Sequence, residues 1–264
     1  MNDKINADRF LGFADIYDNA RPSVPATACD ILIDYLGKQP DTIVDLGCGT
    51  GLSTVIWKDK ANSIIGIEPS GDMLSTAKSK EKDNVLFIKA FSDDTTLPDN
   101  TADIVVCSQS FHWMDPHSTL AEVNRILKRN GVFATVDYDW PPMCNWKAEK
   151  EYTEFHAKVS NIECKQANIK NSFNRWDKNK HLSNIKNSGY FRYSREIVFL
   201  NKEKCDANRF IAMALSQGGL QTILKTHPEL IEKDIEQYEN KIRSILHNSE
   251  FDISICYRMR IGIK

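Results

Sequence analysis

The sequence predicts an α/β chain: a doubly wound, seven-stranded sheet with a helical lid insertion before the last strand. Three observations carry that expectation. Short β-branched runs alternate with helical patterns through the first half of the chain. Glycines crowd the exit of the first such run, Thr42-Ile43-Val44-Asp45-Leu46-Gly47-Cys48-Gly49-Thr50-Gly51. At the other end, Ile253, Ile255, Tyr257, Met259, Ile261 and Ile263 alternate strictly, as a strand with one buried face does.

The elements follow in order. Ala28, Ile31, Leu32 and Tyr35 recur at helical spacing, and Gly37 supplies a C-terminal stop. Ile43, Val44 and Leu46 suit a buried strand of a parallel sheet. Leu52, Val55 and Ile56 stripe the next helix, and Ile64-Ile65-Gly66-Ile67 forms strand two, closed by Glu68. Pro69-Ser70 then introduces a helix with Ser70 as N-cap and Met73, Leu74 and Ala77 inward. Val85–Ile88 reads as strand three, leading into Ala90-Phe91-Ser92-Asp93-Asp94. After a turn at Leu97-Pro98-Asp99-Asn100, strand four runs from Asp103 to Ser108 and exits through Gln109-Ser110-Phe111-His112-Trp113-Met114. Asp115 caps a helix that starts at Pro116 and is expected to stop at Lys128-Arg129-Asn130-Gly131. Strand five is Val132–Val136.

Beyond strand five the pattern changes. A helix is expected from about Trp146 to Cys164, and strand six from Arg192 to Leu200. Two helical patterns, 206–225 and 228–247, separate it from the final strand, with Gln217-Gly218-Gly219 interrupting the first. A hairpin needs only a few linking residues, so this stretch reads as an inserted subdomain. Its helices join through Gly218-Gly219 and carry many charges, which suggests few buried contacts, so residues 201–250 with the segment 9–21 are expected to form a cover more mobile than the sheet.

Composition narrows the function. The chain has 264 residues, room for one large domain, and a net charge of −2 with acids and bases interspersed. No basic footprint for nucleic acid is present, so no nucleic-acid partner is expected. No apolar run approaches the roughly 20 residues of a membrane span, and the first residues lack the apolar core of an export signal. The seven cysteines are scattered and odd in number, without a Cys-x-x-Cys pair. That indicates neither a disulfide framework nor a metal site, and points to a reducing cytoplasm.

The glycine spacing specifies the ligand. A dinucleotide fingerprint is G-x-G-x-x-G, and here the third glycine comes one residue early, with Leu52 in its place. Asp45, just before the first glycine, is a poor neighbour for a pyrophosphate and a good one for an ammonium or hydroxyl group. Glu68 stands where an acid accepts both hydroxyls of a ribose. The site therefore wants an adenosine carrying a cationic amino-acid end. The bland alternative is a glycine turn that only packs a helix on a sheet, which the combination of Asp45, three glycines and Glu68 leaves far behind.

The run V-D-L-G-C-G-T-G resembles motif I of the class I S-adenosylmethionine-dependent methyltransferases, of the methyltransferase type 11-like kind, and the architecture is similar to that of a subgroup including trans-aconitate methyltransferase-like enzymes. The resemblance is specific over about residues 10–140 and architectural over 145–264. It implies the Rossmann-like class I methyltransferase fold, S-adenosyl-L-methionine as cofactor, and a small-molecule acceptor, with a carboxylic acid as one candidate. It implies one domain over 1–264: a cofactor-covering segment at 9–37, a cofactor-binding core at 38–140, acceptor-side helices and lid at 145–250, and a final antiparallel strand at 251–264. It also assigns Tyr17 and Arg21, in Tyr17-Asp18-Asn19-Ala20-Arg21-Pro22, to the methionine end of the cofactor, where arginine's planar fork matches a carboxylate.

The expected cofactor set is thus Tyr17, Arg21, Asp45, Gly47, Cys48, Gly49, Gly51, Glu68, Pro69, Met73, Phe91, Ser92, Ser108 and Gln109. Met73 is either core or an adenine contact. Phe91 either lies against the adenine or turns away and leaves its backbone there, and Asp93 either borders the ring or faces solvent. For the acceptor pocket, Trp113, Tyr138 and Trp140 are candidates by position, with Gln109 shared, and Gln217, Tyr257 and Arg258 are added from the lid. Arg258 is either an anchor for an anionic acceptor or the partner of a surface acid. His112 is the candidate general base, weighed against a pocket wall shaped by Phe111 and Trp113; a carboxylate acceptor would need no base. Rival readings are a cofactor-binding protein without turnover, a dinucleotide oxidoreductase, and methylation of RNA or protein.

Overall fold

The computed structural model describes residues 20–166, 174–247 and 249–264. Seven strands form one sheet: β1 (Thr42–Leu46), β2 (Ser63–Ile67), β3 (Val85–Ile88), β4 (Ala102–Ser108), β5 (Leu127–Tyr138), β6 (Tyr193–Cys205) and β7 (Phe251–Ile263). Their order is β3-β2-β1-β4-β5-β7-β6. The first five pair in parallel, and β7 runs antiparallel to both β5 and β6. The helices among the described residues are α1 (Ala26–Leu36), α2 (Leu52–Val55), α3 (Gly71–Lys78), α4 (Pro116–Ile126), α5 (Trp146–Lys165), α6 (His181–Asn187), α7 (Ala207–Leu215), α8 (Gly218–Thr226) and α9 (Glu232–Leu246).

Strand periodicity divides the core in two. Ile43, Ile104, Val106, Val132, Ala134 and Val136 pack on one face with Leu32 and Leu74. Val44, Leu46, Val105, Cys107 and Phe133 pack on the other with Leu120, Val123 and Ile126 of α4. Both faces of the central strands are therefore covered, which is why they read as continuous apolar runs. Each fully buried Leu, Ile or Phe contributes about 1.5–3 kcal/mol.

Several boundaries differ from those expected. α4 stops at Ile126, and Leu127–Gly131 joins β5 instead of ending the helix. Gly131 is required there by packing, since a Cβ would lie 2.8 Å from the Leu127 side chain and 2.9 Å from the Asp103 carbonyl oxygen. Ser70 occupies the N-cap position of α3, but its hydroxyl makes no capping bond; its N–H donates to Glu68 instead. β6 extends to Cys205, beyond the expected Leu200.

The insertion also differs from expectation in its packing. Phe210, Ile211, Met213, Ala214, Leu220, Ile223, Tyr238 and Ile242 are buried and join the same core as the sheet. Its charges lie on the outer faces of amphipathic helices, so they say nothing against a packed inner face.

The hairpin explains how the insertion meets the site. β5 pairs with β7 only as far as Tyr138↔Tyr257, whereas β6 and β7 continue to Cys205↔Phe251. Residues 251–256 thus overhang the carboxyl edge of the parallel strands, and α7, α8 and α9 spring from that overhang.

Arg260 locks the hairpin to the sheet. Its side chain is 4% exposed, donates to Asp137 Oδ2 at 2.9 Å and to Glu196 Oε2 at 2.8 Å, and so ties β7 to both neighbours. Removing one partner of a buried pair costs about 3–5 kcal/mol. Arg260→Met is expected at the low end of that range, because Lys178 remains on Asp137, and urea unfolding measures it.

Candidate active site

The strands of a parallel sheet leave their loops at the carboxyl edge, and a crevice opens where connections diverge to opposite faces. β1 and β4 are such neighbours here, and a cavity of about 790 Å³ lies at their exits. Its walls run from Glu68 after β2, past Gly47–Thr50 after β1 and Ser108–Gln109 at β4, to Asp137–Trp140 at β5 and Arg258 and Arg260 on β7.

At the β1–β2 end, Gly47, Gly49 and Gly51 all have positive φ, 66°, 57° and 84°. Their surroundings differ. A Cβ on Gly51 would lie 2.7 Å from the Phe87 ring, and one on Gly47 would lie 2.6 Å from Met114, whereas one on Gly49 would meet nothing within 4 Å. Gly49 lines the cavity, so its bare backbone is a cradle open to a ligand.

Glu68 fixes this cradle. Its Oε2 accepts the Gly49 N–H at 2.9 Å and its Oε1 accepts the Ser70 N–H at 2.8 Å. Each oxygen keeps a lone pair, enough for two hydroxyl donors. Burial pushes the carboxyl up to about 7, against the pull of the two N–H donors.

Asp45 lies beneath the loop and outside the cavity wall, fully buried. Its Oδ2 accepts from Ser53 Oγ and Thr54 Oγ1, each at 2.7 Å, while Oδ1 has no partner. Burial pushes this carboxyl up to about 6. Its folded value lies above the unfolded one, so ionised Asp45 costs stability at neutral pH, and the cost is relieved as pH falls through about 6.

Of the other expected cofactor residues, Arg21, Cys48, Pro69, Met73, Phe91, Ser92, Ser108 and Gln109 line the cavity. Met73 is both core and wall, 3% exposed. Asp93 faces solvent. Gly51 stands outside the wall, behind Phe87, and Tyr17 lies outside the described residues. Arg21 donates to the Ser216 carbonyl at 2.8 Å and to Tyr138 Oη at 3.2 Å, with its guanidinium 5.4 Å from the centre of the Trp140 ring.

At the β5–β7 end, Trp113, Tyr138, Trp140, Gln217 and Arg258 line the cavity. Arg258 donates to both oxygens of Asp139, at 3.0 and 3.1 Å, and to Glu196 at 3.3 Å, which makes it the partner of acids. Tyr257 does not reach the wall: it is fully buried, and its hydroxyl donates to the Ser23 carbonyl at 2.7 Å.

His112 also lines the cavity. It is 6% exposed, and its Nδ1 has no partner, 4.0 Å from Asp137 Oδ1. Burial, then the positive charges around it with Lys178 foremost, hold its pKa well below the usual histidine range. It is therefore neutral at neutral pH and a weak base. His112, Asp137 and His181 bring three potential ligand atoms together, but Asp137 already carries Lys178 at 2.9 Å and Arg260 at 2.9 Å. Two cations on the one carboxylate make this an ion-pair cluster rather than a cation site.

Sequence reasoning missed Asp137, His156, Arg175, Trp176 and Lys178, all in the cavity wall. Asp137 carried a signal, being an acid at the carboxyl end of a buried strand. The 174–180 segment carried none: it is polar and aperiodic, and it reaches the site because the Trp176 N–H donates to the His112 carbonyl at 2.8 Å.

The sheet order with its antiparallel last strand is that of the class I S-adenosylmethionine-dependent methyltransferase fold, and residues 44–135 match the methyltransferase-domain family model. The chain is 30% identical over 131 residues to the probable S-adenosylmethionine-dependent methyltransferase CRG1 of Saccharomyces cerevisiae, covering 47% of this chain and 45% of that one. It is 29% identical over 164 residues to an uncharacterized methyltransferase-like protein, C25B8.10, of Schizosaccharomyces pombe, covering 61% and 60%. The chain spans about half the length of the curated relatives it matches. Among solved structures, a proposed type II methyltransferase from Anaeromyxobacter dehalogenans superposes with a TM-score of 0.68 at 16% identity, covering 92% of this chain and 97% of that one, which is a likeness of fold.

Gly49 and Gly51 separate binding from folding. Gly51→Ala should lower stability by about 1–3 kcal/mol through overpacking against Phe87, beyond the roughly 1–2 kcal/mol of the left-handed backbone. Gly49→Ala should show only the backbone cost and instead weaken S-adenosylhomocysteine. Urea unfolding and calorimetry on both variants measure the contrast.

Proposed function

We propose that this protein transfers a methyl group from S-adenosylmethionine to a small molecule, with a carboxylic acid as the acceptor the site favours. The observation that carries the cofactor half is the pairing of Glu68 with the open Gly49 cradle in the cavity wall. Glu68 would receive the ribose hydroxyls, the backbone at Gly47–Gly49 would lie along the amino-acid chain, and Met73 with Phe91 would flank the adenine. Arg21 would face the methionine carboxylate, the role expected of Tyr17 as well. When bound, S-adenosylmethionine supplies a methyl carbon already activated by its sulfonium charge, so the protein's task is to position the acceptor and exclude water.

The weak basicity of His112 bears on the acceptor. A hydroxyl or thiol would have to surrender a proton, whereas a carboxylate is already ionised and attacks through an oxygen lone pair. His112 is then a wall, in contact with Trp113 at a ring-centroid distance of 4.7 Å. The one-domain organisation, with residues 145–250 contributing the acceptor side, belongs to the same reading. So does a cytoplasmic location, supported by the free thiols of Cys29, Cys48, Cys107, Cys144, Cys164, Cys205 and Cys256. No helix among the described residues is long and apolar enough to cross a membrane.

Two measurements test the proposal. Hydroxyl donors favour ionised Glu68, so S-adenosylhomocysteine affinity should fall as pH drops below about 7, approaching about tenfold per pH unit. Glu68→Gln should flatten that dependence and cost about 1.5–3 kcal/mol of binding. An unchanged affinity and pH profile would place the ribose elsewhere. For the reaction, incubation with methyl-labelled cofactor and a fractionated metabolite extract should yield a base-labile methyl ester. With the acceptor so identified, His112→Gln should alter acceptor KM and leave the pH–rate profile without a lost histidine limb; a hundredfold fall in kcat would mark a base instead.

A further inference from the structure

Lys178 is placed by a short strap across the cavity. The Trp176 N–H bond to the His112 carbonyl anchors the strap, and Asp177 Oδ1 caps the single turn Lys178–Lys180 by accepting the Asn179 N–H at 2.9 Å. Lys178 then reaches inward and donates from Nζ to Asp137 Oδ1 at 2.9 Å and to Gln109 Oε1 at 2.7 Å. The strap thereby joins the exits of β4 and β5.

Gln109 is held in an unusual way. It is a non-glycine residue with a φ of +54° at the end of β4, a conformation that persists only where its surroundings enforce it. An ammonium facing a carboxylate has donors and no acceptor, so the Gln109 oxygen must face Lys178 and its NH2 must face away. That NH2 is buried with no partner among the described residues, in a side chain that lines the cavity. An orphaned buried donor costs stability unless a ligand uses it.

The nearby charges indicate what would use it. Arg260 and Lys178 sit on Asp137, and Arg258 sits on Asp139 and Glu196. Arg175, exposed at the mouth of the same cavity, makes no ion pair among the described residues, and its charge is felt at His112. The same half of the cavity thus holds the unpartnered Gln109 NH2 and, among the described residues, a guanidinium without an ion pair.

We infer that Lys178 is a positioning residue that sets the Gln109 carboxamide as hydrogen-bond donor to a carboxylate of the methyl acceptor, with Arg175 drawing that anion in. This rests on the methyltransferase reading of the cavity. It adds a specificity device: an acceptor without an oxygen at this point would leave the buried amide unpaired, and one without a negative charge would not be drawn by Arg175.

The test is calorimetry on the whole protein. S-adenosylhomocysteine is titrated first; to the loaded protein are then added acetate, succinate, citrate and benzoate, each beside its neutral amide. Wild type should bind at least one carboxylate and discriminate against its amide by tenfold or more. Gln109→Glu keeps a partner for Lys178, and so the fold, but has no donor; it should lose carboxylate binding at least tenfold more than S-adenosylhomocysteine binding. Lys178→Met should do the same, while Lys178→Arg, again a donor-only cation, should restore most of the loss. Failure of wild type to bind S-adenosylhomocysteine would overturn the cofactor reading and this one with it. Binding of S-adenosylhomocysteine without any carboxylate, or equal losses for both ligands in Gln109→Glu, would overturn this inference alone.

Discussion

Asp137 is a carboxylate 4% exposed at the end of β5, and much of the β5–β7 end of the cavity depends on its two cations. Arg260 reaches it from β7 and Lys178 from the strap, at 2.9 Å each. A buried carboxylate without partners would be strongly disfavoured, so the sheet edge, the hairpin and the strap are bound to one another through it. The same arrangement keeps His112 and His181 neutral. Burial and the neighbouring cations push His181 down to about 4, despite the opposing pull of Asp137, and hold His112 low as well. The cluster joins the sheet edge, the hairpin and the strap by ion pairs on the one carboxylate.

The cofactor half rests on a different economy of bonds. Glu68 joins the loop after β1 to the turn after β2 by accepting one backbone N–H from each. Its position at the end of a buried strand raises its pKa, and hydroxyl donors from a ligand would offset that. Asp45, beneath the same loop, holds the start of α2 through Ser53 and Thr54 rather than standing in the wall.

Between the halves lies the hairpin overhang. Because β6 and β7 outrun β5 at the carboxyl edge, the inserted helices are carried over the cavity, and Gln217 at the start of α8 meets Tyr152 of α5 at 3.1 Å. A Cβ on Gly219 at that junction would lie 2.7 Å or less from the Glu163 carboxylate, which would have to move aside. The insertion is part of the core through its buried aromatic and aliphatic side chains.

What the sequence by itself determined is what local physics encodes. Alternation and β-branching marked the strands, and the glycine spacing marked the loop, because each of these signals lies within one strand–turn–helix unit. Boundaries such as Leu127–Gly131 were misread because a helix-ending composition is also compatible with an edge of β5 when tertiary pairing is available. Tertiary structure alone decided that Tyr257 turns into the core, that Arg258 is taken by Asp139 and Glu196, and that Asp137, Gln109 and Lys178 meet. Gln109 and Lys178 are 69 residues apart, and the segment carrying Lys178 has no periodicity to announce it. Only the closing of the chain over the carboxyl edge brings that ammonium to that amide, and no local propensity records such a contact.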